Sequence, residues 1–255
     1  MKTGSDMAAI VTGAASGLGL AVAEALAAKG VRVGILDMNE EQGGEVATRL
    51  GGTYARCDVS DPASVAGALA ELRAAHGQER ICVNCAGIAP AHRSVTKNGA
   101  HDPELFARVC AINLVGTFNV ATQSAAGMAA ADPLAEDGER GVIVNTASIA
   151  AWDGQIGQLA YAASKAGVAG MTLPMARDLA RHGIRVMAIA PGIFGTAMVK
   201  AFADEVQQSL AQHAQFPPRL GDPGEFAALV LHIVENRMLN GETIRLDAAT
   251  RMPPK

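Results

Sequence analysis

A doubly wound α/β fold, one parallel sheet with helices on both faces, is predicted by three features of the sequence. Strand-like and helix-like segments alternate along most of its 255 residues. The strands are apolar almost throughout, as expected of strands buried on both faces. A glycine-rich turn, Thr12 to Gly19, joins the first strand to the first helix. Right-handed crossovers between parallel strands then put ligand sites at the carboxyl ends of the strands.

The elements follow in order. Met7 to Thr12 is apolar and β-compatible, and the Ala/Leu-rich run Leu18 to Lys29 is helical and closed by Gly30. Val31 to Asp37 is the second strand, followed by a helix over Glu40 to Leu50. Thr53 to Val59 and Arg80 to Ala86 are strands flanking the helix Pro62 to Ala75, which Asp61 caps with Pro62 at its first position. Glu104 to about Ala129 reads as one long helix, Gly141 to Ala147 as a strand and Ala160 to Arg181 as a helix in which Pro174 should make a kink. Ile184 to Ala190, Glu225 to Glu235 and Glu242 to Asp247 complete the pattern as strand, helix and strand. Ile88 to Pro103 and Ala131 to Arg140 read as surface insertions, the first at a strand end where ligand-contacting loops sit.

Composition narrows the function class. With 49% hydrophobic and 18% charged residues the chain can bury a core, and no Pro/Ser-rich linker divides it, so one domain is expected. A net charge of −4 without a basic run gives no footprint for nucleic acid. No leader-like N-terminus and no apolar run of membrane-spanning length stand out, so a soluble, cytoplasmic protein without a membrane partner is expected. Cys82 and Cys85 form a C-x-x-C, but in a strand this offset turns the two sulfurs to opposite faces. No second pair or histidine cluster completes a metal site, and buried free thiols suit a reducing compartment.

The chemistry is carried by short motifs. In Thr12-Gly13-Ala14-Ala15-Ser16-Gly17-Leu18-Gly19, glycines between strand and helix permit close approach of a pyrophosphate to backbone N–H groups at a helix N-terminus. Asp37, ending the second strand, is placed to accept hydrogen bonds from an adenosine ribose and would repel a 2′-phosphate, which favours NAD over NADP. Tyr161 and Lys165 stand one helical turn apart on one face, where an ammonium would lower the phenol pKa.

Together with Cys57-Asp58-Val59, Asn84-Cys85-Ala86-Gly87, Ile112-Asn113, Asn145-Thr146-Ala147-Ser148 and Pro191-Gly192, these stretches resemble the short-chain dehydrogenase/reductase family over essentially the whole chain. The resemblance implies a single Rossmann-like domain over 1–255, with 7–87 mainly cofactor-binding and 88–255 catalytic and substrate-binding parts of the same sheet. It also implies roles. Tyr161 would exchange a proton with the substrate oxygen, with Lys165 lowering its pKa and holding the nicotinamide ribose. Ser148 would hydrogen-bond the substrate oxygen, and Asn113 would order a water linking Lys165 to solvent or repair a helix bend. Gly13, Ser16, Gly17, Leu18 and Gly19 would form the phosphate turn, and Asp58 and Val59 would flank adenine. Cys85, Ala86 and Gly87 would line the passage between riboses, and Pro191, Phe194 and Thr196 would serve the nicotinamide end. Gln155 and Gln158 are substrate-pocket candidates or solvated loop amides.

Among family members the chain is most similar to a subgroup acting on 3-hydroxyacyl-CoA thioesters and 17β-hydroxysteroids, on stretches such as Gly154 to Tyr161, Ile189 to Thr196 and Arg219 to Pro223. This implies an NAD-dependent enzyme interconverting a 3-hydroxyacyl-CoA and its 3-oxo form, built as a homotetramer. The alternatives are another apolar secondary alcohol such as a hydroxysteroid, or a non-catalytic dinucleotide-binding scaffold. Arg93 and Lys97 are candidates for CoA phosphates or are solvated charges. Thr196 to Pro217 reads as a lid with Ala197, Met198, Val199, Phe202, Val206, Leu210 and Phe216 facing an apolar substrate, or as an amphipathic helix.

Overall fold

The computed structural model describes residues 1–196, 199 and 204–254. Seven parallel strands form one sheet in the order β3-β2-β1-β4-β7-β8-β9. They are β1 (Ala8–Thr12), β2 (Arg32–Asp37), β3 (Thr53–Arg56), β4 (Ile81–Asn84), β7 (Gly141–Thr146), β8 (Ile184–Pro191) and β9 (Thr243–Leu246). The sheet runs outward from β1 in both directions, so the chain switches sides between β1 and β4. Neighbouring carboxyl ends diverge there to leave a crevice.

Both faces are covered. On one, α1 (Gly17–Ala28), α2 (Glu40–Leu50) and the C-terminal helix Pro223–Glu235 pack Val22, Leu26, Val46, Phe226, Val230 and Ile233 onto Val11, Ile35 and Val144. On the other, α3 (Pro62–His76) and α5 (Gly116–Ala130) pack Leu69, Leu72, Val120 and Met128 onto Ile10, Cys82 and Ile143, joined by Met175 of α7 (Leu159–Ala180). Cys82 therefore lies within this second core while Cys85 reaches the crevice, and all four cysteines are free thiols.

Several elements differ from expectation. The long helix is α4 (Pro103–Cys110) and α5 joined by a π-helical turn, Ala111–Val115. The continuous helix, Pro103–Ala130, is 28 residues and apolar enough to cross a membrane by length and composition, contrary to the sequence reading. Its inner face packs in the sheet-and-helix core through Val120, Ala121, Ala125 and Met128. The third strand stops at Arg56 instead of Val59, because Asp58 turns the chain by accepting from Ser60 N and Oγ at 2.9 and 2.7 Å. Helix α7, in contrast, is the single helix containing Pro174 that the sequence reading gave. The first insertion carries a small hairpin, β5 (Val95–Thr96) with β6 (Gly99–Ala100). The second is not wholly at the surface. Its Glu139 is buried and pairs with Arg185 at 3.4 Å, Arg237 at 3.0 Å and the Met1 amine at 3.2 Å.

Candidate active site

The glycine turn builds the crevice floor. Gly13 has φ +63° and a Cβ there would sit 2.9 Å from Ala86 N and Cα, so only glycine admits this close approach of two main chains. A Cβ on Gly19 would collide with the carbonyl oxygen of Gly13. Thr12 locks the same junction: its hydroxyl accepts from Cys85 N and Ala86 N, both at 3.1 Å.

Above this floor lies a cavity of about 660 Å³ lined by Gly13, Ser16, Gly17, Leu18, Gly19, Asp37, Asp58, Val59, Cys85, Ala86, Gly87 and Thr196. It also takes in Ser60, Arg108 and Ile112, which the sequence reading did not assign to the cofactor. Asp37 is held by main-chain donors, accepting from Ala15 N and Asn39 N at 3.0 Å each. The cradle fits a dinucleotide: a bare main-chain floor, a helix N-terminus and a carboxylate on the rim. Pro191 and Phe194 do not line it. Pro191 is buried, its carbonyl accepting from Ile149 N at 3.2 Å. Phe194 packs edge-on to Phe226 with ring centroids 6.3 Å apart. Its ring borders a separate apolar cavity of about 270 Å³ with Leu210, Pro217 and Leu246.

Ser148 follows β7 and is buried, its hydroxyl accepting from Ala150 N at 3.1 Å to open the short helix α6 (Ala150–Asp153). Tyr161 and Lys165 come from the first turns of α7, whose inner face also carries Ser164 and Val168. Lys165 is 4% exposed and donates to Thr146 O at 2.7 Å, with Nζ 5.9 Å from the Tyr161 ring centroid. Burial lowers the Lys165 pKa to about 8, while neighbouring Cys85 pulls it up. Burial pushes the Cys85 thiol up to about 11.

The tyrosine departs from the sequence reading. Burial raises its pKa above the ordinary value, and the opposing influence is the Ser148 hydroxyl, not the ammonium. Lys165 directs a bond at the Thr146 carbonyl instead, and its own charge is disfavoured by the same burial.

Asn113 lies in the π turn, fully buried. Its Oδ1 accepts from Ile88 N at 2.8 Å, and Nδ2 donates to Ile88 O at 2.8 Å and to Ser164 Oγ at 3.1 Å. Ser164 Oγ in turn donates to Tyr161 O at 2.7 Å. Both amide hydrogens are therefore spent joining the strand end after β4 to α7. The displaced main chain is served by Thr117, whose hydroxyl donates to Asn113 O at 2.7 Å.

The two glutamines are not directed into the cavity. Gln158 Oε1 accepts from Gln155 N at 3.0 Å, and Gln155 Nε2 donates to Pro253 O at 3.2 Å. They border a separate surface cleft with His92 and Arg93 on the outer side of α7. Of the expected lid, Ala197, Met198, Phe202 and the side chain of Val206 lie outside the described residues. Leu210 on the helix Asp204–Ala211 faces the Phe194 cavity, and Phe216 is 83% exposed.

A phosphate cradle beside a serine, tyrosine and lysine defines a class. The short chain dehydrogenase family model matches residues 7–207, and the chain belongs to that family, as an oxidoreductase that uses a nicotinamide dinucleotide and acts on a small molecule. It is 50% identical to 3-hydroxyacyl-CoA dehydrogenase type-2 of Bos taurus, over 97% of this chain and 96% of that one. The enzyme of the same name from Drosophila melanogaster is 52% identical, covering 96% and 97%. The crystal structure of 3-hydroxyacyl-CoA dehydrogenase type-2 from Mycobacterium avium superposes with a TM-score of 0.95 at 42% identity, covering all of both chains.

Proposed function

We propose that this enzyme interconverts a 3-hydroxyacyl-CoA and the 3-oxoacyl-CoA, with NAD as cofactor. The observation that carries the chemistry is the meeting of the Ser148 hydroxyl, the Tyr161 phenol and the Lys165 amine beside the glycine-floored cavity. The thioester is supported by the relatives' names and their coverage of the chain. NAD is supported by Asp37, whose fixed carboxylate on the cavity rim would repel a 2′-phosphate.

When bound, the dinucleotide supplies or accepts the hydride. Ser148 donates a hydrogen bond to the substrate oxygen and stabilises charge developing there. Tyr161 gives that oxygen a proton in reduction and removes it in oxidation. The ammonium of Lys165, with Nζ 5.9 Å from the ring centroid, would favour phenolate and so work against the burial that raises the tyrosine pKa. Asn113 fixes the helix that carries both groups.

The test is NADH and NADPH consumption with acetoacetyl-CoA beside a steroid ketone. Turnover of the thioester with NADH is expected. Robust steroid turnover with an inert thioester overturns the substrate, and preference for NADPH overturns the role of Asp37.

A homotetramer is part of the same reading, supported by the apolar exposure of Val115 in the π turn, Phe118 on α5 and Leu173 on α7. Light scattering should give about four times the 26.1 kDa chain mass, and a monomer mass removes it. The four free thiols support a reducing, cytoplasmic location, which fractionation of the source cells would test.

A further inference from the structure

Arg245, on the edge strand β9, is far from the reacting groups in sequence and joins the short helix after Ser148 to the C-terminal segment. Its Nη2 donates to Asp153 Oδ2 at 2.6 Å and Thr250 O at 3.0 Å, and its Nε donates to Asp247 Oδ2 at 2.8 Å. The guanidinium carbon also lies 5.5 Å from the Trp152 ring centroid. Trp152 and Asp153 belong to α6, the four-residue helix that the Ser148 hydroxyl opens. One guanidinium thus fastens the helix behind Ser148 to the C-terminal segment.

That segment is itself a support. Pro253 O accepts from Gln155 Nε2 at 3.2 Å and Pro254 O accepts from Ile156 N at 3.0 Å. Ala248 O accepts from Gln215 N at 2.9 Å, tying in the chain returning from the helix Asp204–Ala211. Leu246, Asp247, Ala248 and Thr250 also form one side of the apolar cavity beside Phe194. Ala248 and Ala249 hold φ of 50° and 59°, a conformation costly to non-glycine residues and kept only where contacts enforce it. The Asp153 and Asp247 side chains are 18% and 8% exposed, so without Arg245 two sheltered carboxylates would face each other. Asp247 would retain Arg251, at 3.5 Å and mostly exposed.

We propose that Arg245 is a positioning residue for the keto substrate: it locks the C-terminal segment to the helix behind Ser148 and so fixes the wall against which the acyl end packs. The inference rests on the thioester reading above. It separates from the cofactor site, because none of Asp153, Asp247 or Thr250 lines the glycine-floored cavity.

The experiment compares full-length R245M and R245K with the unmodified enzyme. KM and kcat are measured for acetoacetyl-CoA and longer 3-oxoacyl-CoA thioesters, NADH affinity by fluorescence, and amide hydrogen exchange at Ile156 and Gln215. R245M should raise the thioester KM on the order of tenfold, with kcat and NADH affinity changed less than about threefold. Exchange at both amides should accelerate, while exchange in the glycine turn should not. R245K, able to reach one carboxylate at a time, should fall between. Unchanged KM and exchange in R245M overturn the proposal, as does a parallel loss of NADH affinity and melting temperature, which marks general destabilisation. If the unmodified enzyme reduces no thioester, the substrate reading fails instead. The same comparison on the ketone it does reduce then decides whether Arg245 acts on substrate.

Discussion

Tyr161 illustrates how far a single residue could be read in the sequence. Its spacing from Lys165 announces a shared helical face, and the glycine turn and Asp37 are legible because main-chain sterics and strand ends leave local marks. Replacing Tyr161 by Phe removes the proton and leaves the dinucleotide cradle untouched. NADH should bind within about twofold of normal while turnover falls on the order of 100-fold or more; full activity in a steady-state assay would refute the role. The charge balance was not legible, because it depends on burial. With a pKa of about 8 against an ordinary 10.5, Lys165 binds its proton more weakly folded than unfolded. Below pH 8 both states keep the proton and the cost of burying it is present in full. As pH rises toward 10.5 the folded chain releases it first, so stability grows relative to the K165M variant. Urea denaturation of both proteins at pH 7, 8.5 and 9.5 reads that difference, and a flat difference would contradict the buried amine. The local partners of Gln155 and Gln158 were likewise not legible, because they include a carbonyl about a hundred residues away.

At the scale of elements, hydrophobic periodicity gives the existence and order of strands and helices but not their interruptions. The π turn inside Pro103–Ala130 leaves no periodic trace, since it comes from Asn113 meeting the Ile88 main chain and Ser164. The early end of β3 is likewise decided by one Asp58 side chain. The glycine turn, by contrast, makes a direct prediction. In Gly13→Ala the new methyl meets Ala86 main chain, and left-handed backbone alone costs about 1–2 kcal/mol. NADH affinity should fall at least tenfold and the melting temperature should drop. Unimpaired NADH binding by calorimetry would show that the two strand ends do not form the cradle together.

Across the whole molecule, a doubly wound parallel sheet covered on both faces was readable because crossover handedness and apolar strands leave few arrangements; the order of its strands was not. Nor was the ionic tie between β8, the second insertion and the C-terminal helix. Arg185, from β8, donates to Ile233 O, Val234 O and Leu239 O at 2.8–2.9 Å and pairs with buried Glu139. It satisfies carbonyls at the end of the C-terminal helix and neutralises a carboxylate from the second insertion. Arg185→Met takes this donor from the carbonyls and leaves Glu139 to Arg237 and the Met1 amine, and should cost about 3 kcal/mol in urea denaturation with the NADH dissociation constant unchanged. A loss below about 1 kcal/mol would mean that Arg237 and the Met1 amine suffice for Glu139.

The meeting of Gly13 with Ala86 also divides the cavity for anyone wishing to redesign it. Where two backbones touch there is no side chain to vary, so that part of the floor is beyond the reach of substitution. The adjustable part is the rim, where Asp37 projects from β2, Asp58 and Ser60 from the turn after β3, and Arg108 from α4. A library aimed at a different dinucleotide belongs on those four positions, with the floor left as it is.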